Sequence, residues 1–288
     1  MDDYLKHFRE MISLRGLTDH TVISYSTYIR AYLDYLDSVL HKLPESVSWQ
    51  ELRDYVLWLK NSRGLSDRTI NSVISQLRFF TIYVLHKPWD PSQLPMRRFD
   101  SFLPYVPSQN EVRDFIAAFS NLKHKAILAL MYSSGLRVGE VRLLRYEDIS
   151  RSNMRIHIRK SKNRSDRYAI LSSNALAILT QYWLQNGKPR GYLFPNSRHP
   201  DQPMASFTVN QFIYSMESSL GWNHQLSCHS FRHAFGTHLY ENGTDLLTIK
   251  TLLGHKSLNS TTIYVHLAAN GISHAVSPFD QMGGPVHG

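Results

Sequence analysis

From Thr18 to Leu40 the apolar side chains Val22, Ile23, Ile29, Leu33, Leu36 and Leu40, with tyrosines between them, follow a three- and four-residue spacing. That spacing predicts one buried face of a helix. Ser48 and Glu51 form a capping-box pattern ahead of Leu52, Tyr55, Val56 and Leu59, and Ser66 precedes a run through Ile70, Val73, Ile74, Leu77 and Tyr83. With a first helix over residues 3–14, the N-terminal part reads as a four-helix domain. Periodicity then stops in KPWDPSQLPMRRFDSFLPYVP, residues 87 to 107, whose prolines mark an interdomain connection. The domains are drawn at 1–90 and 108–288, with 91–107 as linker.

Ser108 and Glu111 repeat the capping box, and helices over roughly 108–120 and 122–134 lead to Gly135, placed to end a helix in the left-handed conformation. MRIHIR (154–159) and RYAIL (167–171) alternate in polarity around the turn KSKNRSD, the pattern of a β-hairpin. Helical spacing resumes at about 173–186, 206–219, 229–241, 244–253 and 258–266. The expected fold class is therefore mainly α, with a mixed α/β second domain carrying a small hairpin.

A chain of 288 residues with 42% hydrophobic content can bury two cores. The opening MDDYLKHFRE is charged and no apolar run approaches membrane-spanning length, so a cytoplasmic protein without a membrane partner is expected. Cys228 is the only cysteine, which excludes an internal disulfide and a multi-cysteine zinc site. The net charge of +9 is unevenly spread: residues 1–95 hold eleven basic and eleven acidic side chains, whereas residues 151–167 hold seven basic ones against Asp166 alone. Such a patch is either a solvated basic loop or a surface that tracks phosphates, and charge alone does not choose.

Four short stretches of the second half carry groups suited to one reaction. In SSGLRVGEVRLL, Arg137 follows Gly135 at the start of a helix, where a guanidinium stands beside backbone N–H groups in a place that favours an anion. Lys162 sits at the tip of the expected hairpin. In CHSFRHAFGTHLY, His229 and Arg232 share one helical face, while His233 and His238 on the same helix raise the competing reading of a zinc site. That reading is weak, because position 230 is Ser and no carboxylate lies between the histidines. The fourth stretch, LLGHKSLNSTTIYVHL, supplies His255 and Tyr264. Two guanidiniums can hold the non-bridging oxygens of a phosphodiester without a metal, a histidine can accept the proton of a phenol, and a lysine can protonate a leaving oxygen. The set points to metal-free phosphoryl transfer with no cofactor, in which a cationic pocket favours the phenolate.

GLRVGE, HSFRHAFGTHL and LLGHKSLNSTTIYVHL, in that order, resemble the motifs of the tyrosine recombinases, the family of phage integrases and Xer-type resolvases. The resemblance spans about residues 108–267. It implies an N-terminal core-binding domain of SAM-like type and a catalytic domain in which Arg137 and Arg232 clamp the scissile phosphate. Tyr264 attacks to leave a 3′ phosphotyrosine, Lys162 protonates the 5′ oxygen, His229 assists proton transfer, His255 bonds a non-bridging oxygen and Glu140 supports the first arginine motif. Lys162 lacks the glycines that commonly flank the family's lysine, and Lys160 is the other candidate. Arg155, Arg159, Lys160, Arg164 and Arg167 are expected to meet DNA. Double-stranded recombination sites, a homotetramer on two sites, accessory DNA-binding proteins and a place at the nucleoid are the implied partners and setting. A silent DNA-binding regulator of the same fold and a type IB topoisomerase-like enzyme stay open beside strand exchange.

Overall fold

Side-chain caps start the helices of the N-terminal part. Thr18, Ser48 and Ser66 each accept from a backbone N–H three residues on, opening α2 (Asp19–Tyr35), α3 (Trp49–Asn61) and α4 (Asp67–Tyr83). The Ser48–Glu51 capping box is complete. With α1 (Asp2–Leu14) these helices bury Phe8, Ile29, Leu36, Tyr55, Ile70 and Phe80 in one core. A π-helical turn, Leu36–Leu40, extends α2 and ends at His41 in the left-handed conformation.

This computed structural model describes residues 1–100, 102–159, 166–188, 190–224 and 226–268. The chain divides into two units, Met1–Phe102 and Leu103–Gly288. Much of the Pro-bearing segment is committed to one unit or the other. Leu94 is buried in the first core, Trp89 meets Trp49 edge to face, and Asn71 bonds the backbone of Arg97 in both directions. At the far end, Tyr105 donates to Glu111 and stacks on His224 at 4.5 Å.

In the second unit, Ser108 and Glu111 form the expected capping box of α5 (Gln109–Ala118), and α6 (Leu122–Ser134) runs through the middle, with Ala126 to Met131 all buried. Gly135 ends α6 at φ 61°, the left-handed cap its sequence position predicts. A six-residue α7 (Val138–Leu143) follows, then three antiparallel strands in the order β1 (Ile149–Ser150), β2 (Arg155–Ile158), β3 (Arg167–Ile170). Ile156 pairs with Ala169 and Ile158 with Arg167, on the face turned to the core. Arg155, Tyr168 and Ile170 face outward.

Helices α8 (Ser173–Gln185), α9 (Ser206–Ser219) and α10 (Cys228–Glu241) complete the core, and α11 (Leu246–Leu253) packs with Phe235 and Tyr264 in a smaller cluster. The helix expected over 258–266 is instead a 3-10 turn, Leu258–Ser260, followed by the short α12 (Ile263–Leu267). Ser257 caps the backbone N–H of Asn259 and Thr262 donates to the carbonyl of Asn259, so local polar side chains compete with the helix there. Among the described residues no helix is long and apolar enough to cross a membrane.

The capping boxes give a direct test. Ser108→Ala should lower unfolding stability by about 1 kcal/mol, read as a lower urea midpoint at unchanged slope. An unmoved midpoint would mean that the bonds between Ser108 and Glu111 contribute nothing to α5.

Candidate active site

Arg137 precedes the first residue of α7, and its backbone N–H donates to Glu140 Oε2 at 2.9 Å while its Nη1 donates to Oε1 at 2.9 Å. Glu140 is buried, which taken alone would favour a neutral carboxyl. The guanidiniums of Arg167 and Arg137, with the backbone bond, outweigh that burial and hold it below the usual carboxylate range. Arg167 grips the same carboxylate with both terminal nitrogens, at 3.0 Å and 3.0 Å. Arg232 Nη1 stands 4.0 Å from Glu140 Oε2. One carboxylate therefore anchors guanidiniums from three separate stretches of chain.

Arg232 lies on α10 and is almost wholly buried. Its Nη1 donates to the carbonyl of Gly135 and its Nη2 to that of Leu253 at 2.6 Å, so it ties together the C-terminal ends of α6 and α11. Those ends carry the negative pole of the helix dipole. Burial, together with the nearby Arg137, pushes its pKa down to about 10, still charged at neutral pH.

Tyr264, on α12, is 1% exposed and packs with Phe235, Ile249 and Leu253. Its ring lies against Gly236, one helical turn beyond Arg232: a Cβ at that glycine would come within 2.5 Å of the phenol Cζ. Only glycine leaves room for the ring. Burial raises the phenol pKa, while Arg232 and Arg137 pull the other way without reversing it. The expected preference for phenolate is thus absent here, because desolvation outweighs the two cations.

His255, just beyond α11, lies parallel to Tyr264 at 6.3 Å between ring centroids, and its Nδ1 shares a 2.9 Å hydrogen bond with Thr261 Oγ1. His229 stands exposed on the first turn of α10. Arg137, Glu140, Arg232, His255 and Tyr264 come together; His229 lies on the same helix as Arg232, three residues earlier. Lys162 lies outside the described residues, as do Lys160 and Arg164.

The basic candidates on the strands divide. Arg155 is exposed on the outer face. Arg159 keeps 47% of its side chain exposed, although Asp148 at 2.6 Å and Glu147 at 3.0 Å hold it. Arg167, expected at the DNA surface, turns inward with 10% of its side chain exposed, because the alternation of β3 puts it on the core face beside Ala169. The three histidines weighed as zinc ligands do not act together: His238 bonds the hydroxyl of Tyr132 at 2.9 Å. Among the described residues no group of three or more His, Cys, Asp or Glu side chains is arranged around a metal position.

The sequence gives no role to Gly236, expects Arg167 at DNA rather than on the Glu140 carboxylate, and weighs His233 only as a zinc ligand. The His233 ring lies 6.1 Å from that of Tyr264, and among the described residues its buried Nδ1 has no hydrogen-bond partner, nor has Thr237 Oγ1 one turn on. The only sequence signal for Gly236 was its place four residues after Arg232 on a helix otherwise rich in larger side chains.

Residues 107–270 match the phage integrase family, and residues 4–91 match the N-terminal SAM-like domain of phage integrases. A tyrosine recombinase of Pseudothermotoga lettingae is 30% identical over 294 residues, covering 98% of this chain and 97% of that one. Among solved structures, the Tn1549 transposon integrase in complex with circular intermediate DNA is similar at TM-score 0.73 and 17% identity, over 97% of both chains. XerH site-specific recombinase bound to a palindromic difH substrate is similar at TM-score 0.72 and 19% identity, over 92% of this chain and 82% of that one.

Two outcomes test the packing. Gly236→Ala should cost about 1 to 3 kcal/mol by overpacking against Tyr264, seen in the urea midpoint; an unchanged midpoint would show that the ring has space. Burial and neighbouring cations push His233 and His255 down to about 4, below the about 6.5 of an unfolded histidine. Between those values the unfolded chain binds more protons, so stability is full above about pH 6.5 and falls as the pH drops toward 4. Melting temperature across that range checks it, and replacing both histidines with phenylalanine should flatten the fall.

Proposed function

The chain belongs to the phage integrase family, and we propose that it is a tyrosine recombinase that cuts and rejoins DNA at specific sites through a 3′-phosphotyrosine intermediate. The observation that carries this reading is the seat of Tyr264: its ring rests on Gly236, one turn from Arg232, within electrostatic influence of both Arg232 and Arg137.

Each residue has a role that its chemistry supports. A guanidinium has five N–H donors, and Arg232 uses one from each terminal nitrogen on backbone carbonyls. A second hydrogen on each, with Nε–H, remains for the non-bridging oxygens of a scissile phosphate. Arg137, oriented by Glu140, completes the clamp, and both donors gain strength as negative charge builds on those oxygens. The phenol oxygen of Tyr264 bonds to phosphorus as the bond from phosphorus to the 5′ oxygen breaks. The phenol proton leaves to a histidine, His229 being assigned to proton transfer, and the 5′ oxygen takes a proton from Lys162. His255 is neutral near pH 7, and with Nδ1 engaged by Thr261 its Nε2 serves a non-bridging oxygen.

The phosphotyrosine ester keeps the energy of the broken bond. A 5′ hydroxyl from another strand reverses the attack, so rejoining needs neither ATP nor a cofactor. Double-stranded DNA sites are the substrate, held by the N-terminal unit and by exposed cations such as Arg155, with four protomers acting on two sites and accessory DNA-binding proteins setting direction. A silent DNA-binding protein would need charge but not a nucleophile fitted against a glycine beside two guanidiniums.

Two measurements test the reading. On a nicked duplex carrying the flanking DNA of the native locus, the wild-type protein should form an adduct stable to denaturant and Tyr264→Phe should form none; an adduct persisting in the variant would identify another nucleophile. Arg232→Ala should slow adduct formation by about 10² to 10³. A rate within threefold of wild type would remove Arg232 from the clamp.

A further inference from the structure

The strand β3 contributes a group to the site that the recombinase roles above do not use. We propose that Arg167 is a positioning residue that occupies the Glu140 carboxylate, so that Arg137 and Arg232 keep their charge and donors for the phosphate, and that it also fixes the end of α11 before His255. The inference rests on the recombinase reading.

The charges set the requirement. Glu140 is a single buried carboxylate faced by three guanidiniums: Arg137 at the N-cap of α7, Arg167 on β3 and Arg232 on α10. Both of its oxygens accept from the fork of Arg167, each at 3.0 Å. The cluster carries three positive charges and one negative, an excess of two cations at the place where a phosphodiester gathers a second negative charge during attack. Removing Arg167 leaves two guanidiniums and one carboxylate. The open carboxylate lone pairs then compete with phosphate oxygens for the N–H groups of Arg137 and Arg232.

The second half of the role is mechanical. Arg167 Nε donates to the carbonyl of Leu252 at 3.2 Å, and Arg232 Nη2 donates to the next carbonyl, that of Leu253. Two guanidiniums from different elements thus hold consecutive carbonyls at the end of α11, immediately before Gly254 and His255. Gly254 ends α11 at φ 64°, and a Cβ there would stand 2.7 Å from Arg167 Cδ and 2.9 Å from its Nε. The glycine of the Leu-Gly-His stretch is therefore needed for Arg167 to pass, as well as for the turn that presents His255.

Lysine in place of Arg167 keeps a positive charge but cannot fork onto both carboxylate oxygens. Adduct formation by full-length Arg167→Lys, Arg167→Gln and Glu140→Gln/Arg167→Gln is measured from pH 5 to 9 on the same nicked duplex, with DNA affinity and melting temperature in parallel. Arg167→Lys should slow the chemical step by about 10- to 100-fold, the scale of a small misplacement of catalytic groups, with DNA affinity within threefold of wild type. In Arg167→Gln the acid limb of the rate profile should move to higher pH, because the carboxyl loses the cation that contributes most to holding its pKa down. That shift should be absent from the double variant, whose remaining acid limb is set by the histidine that takes the phenol proton. A wild-type rate for Arg167→Lys, or a rate loss matched by weaker, less salt-dependent DNA binding, would overturn the proposal and make Arg167 dispensable or a phosphate contact. Rate loss with an unmoved acid limb would overturn it too, leaving only a stabilising role. Absence of any wild-type adduct is a separate result, since it removes the recombinase reading on which this one stands.

Discussion

A carboxylate with three guanidiniums around it is the interaction on which the second unit depends. Alone, buried Glu140 would carry a desolvation penalty of several kcal/mol, and each guanidinium would carry its own. Together they offset one another, and the excess positive charge becomes a standing demand for an anion. Because the partners come from α7, β3 and α10, satisfying that one carboxylate also fixes three elements against one another. Folding of the unit and readiness of the site are thus the same arrangement. Such a site is preorganised at the cost of self-repulsion among its cations.

Helix α10 concentrates the rest. Arg232, Gly236 and the His233 and Thr237 atoms left unpartnered among the described residues occupy neighbouring turns, and Tyr264 is laid across them by a segment that comes later in the chain. Tyr264 fills a small core with Phe235, Ile249 and Leu253, and that same packing holds its ring beside the guanidiniums. Desolvation raises the pKa of its hydroxyl despite those cations.

Much of this was legible from residue order. Capping boxes at Ser48 and Ser108 and the helix end at Gly135 follow from local hydrogen bonding and backbone sterics, which need no distant partner. The motif arginines, His255 and Tyr264 could be named because their chemistry is distinctive, but their convergence depends on tertiary packing. Arg167 was misread for a physical reason: in RYAIL the larger apolar residues Tyr168 and Ile170 suggest the buried face, whereas small Ala169 and Arg167 occupy it. A buried arginine needs its charge and donors met, here by Glu140, and nothing in the alternation of one strand reveals a partner twenty-seven residues away. The two-residue β1 left no periodicity to detect, and the polar run at Ser257–Thr262 broke a helix that spacing alone would have continued.

Placing Arg232 and Gly236 on one uninterrupted helix has a consequence for how such a chain can diverge. One residue added or lost between them would rotate the second by about 100° around the axis and carry the aromatic ring's resting place off that face. The exposed turn at residues 197–202, within the connection between α8 and α9, can instead lengthen at an entropic cost of only about 0.6 kcal/mol per doubling. Insertions and deletions among descendants of this sequence should gather in that exposed turn and spare the stretch from Arg232 to Gly236, whatever becomes of the DNA they act on.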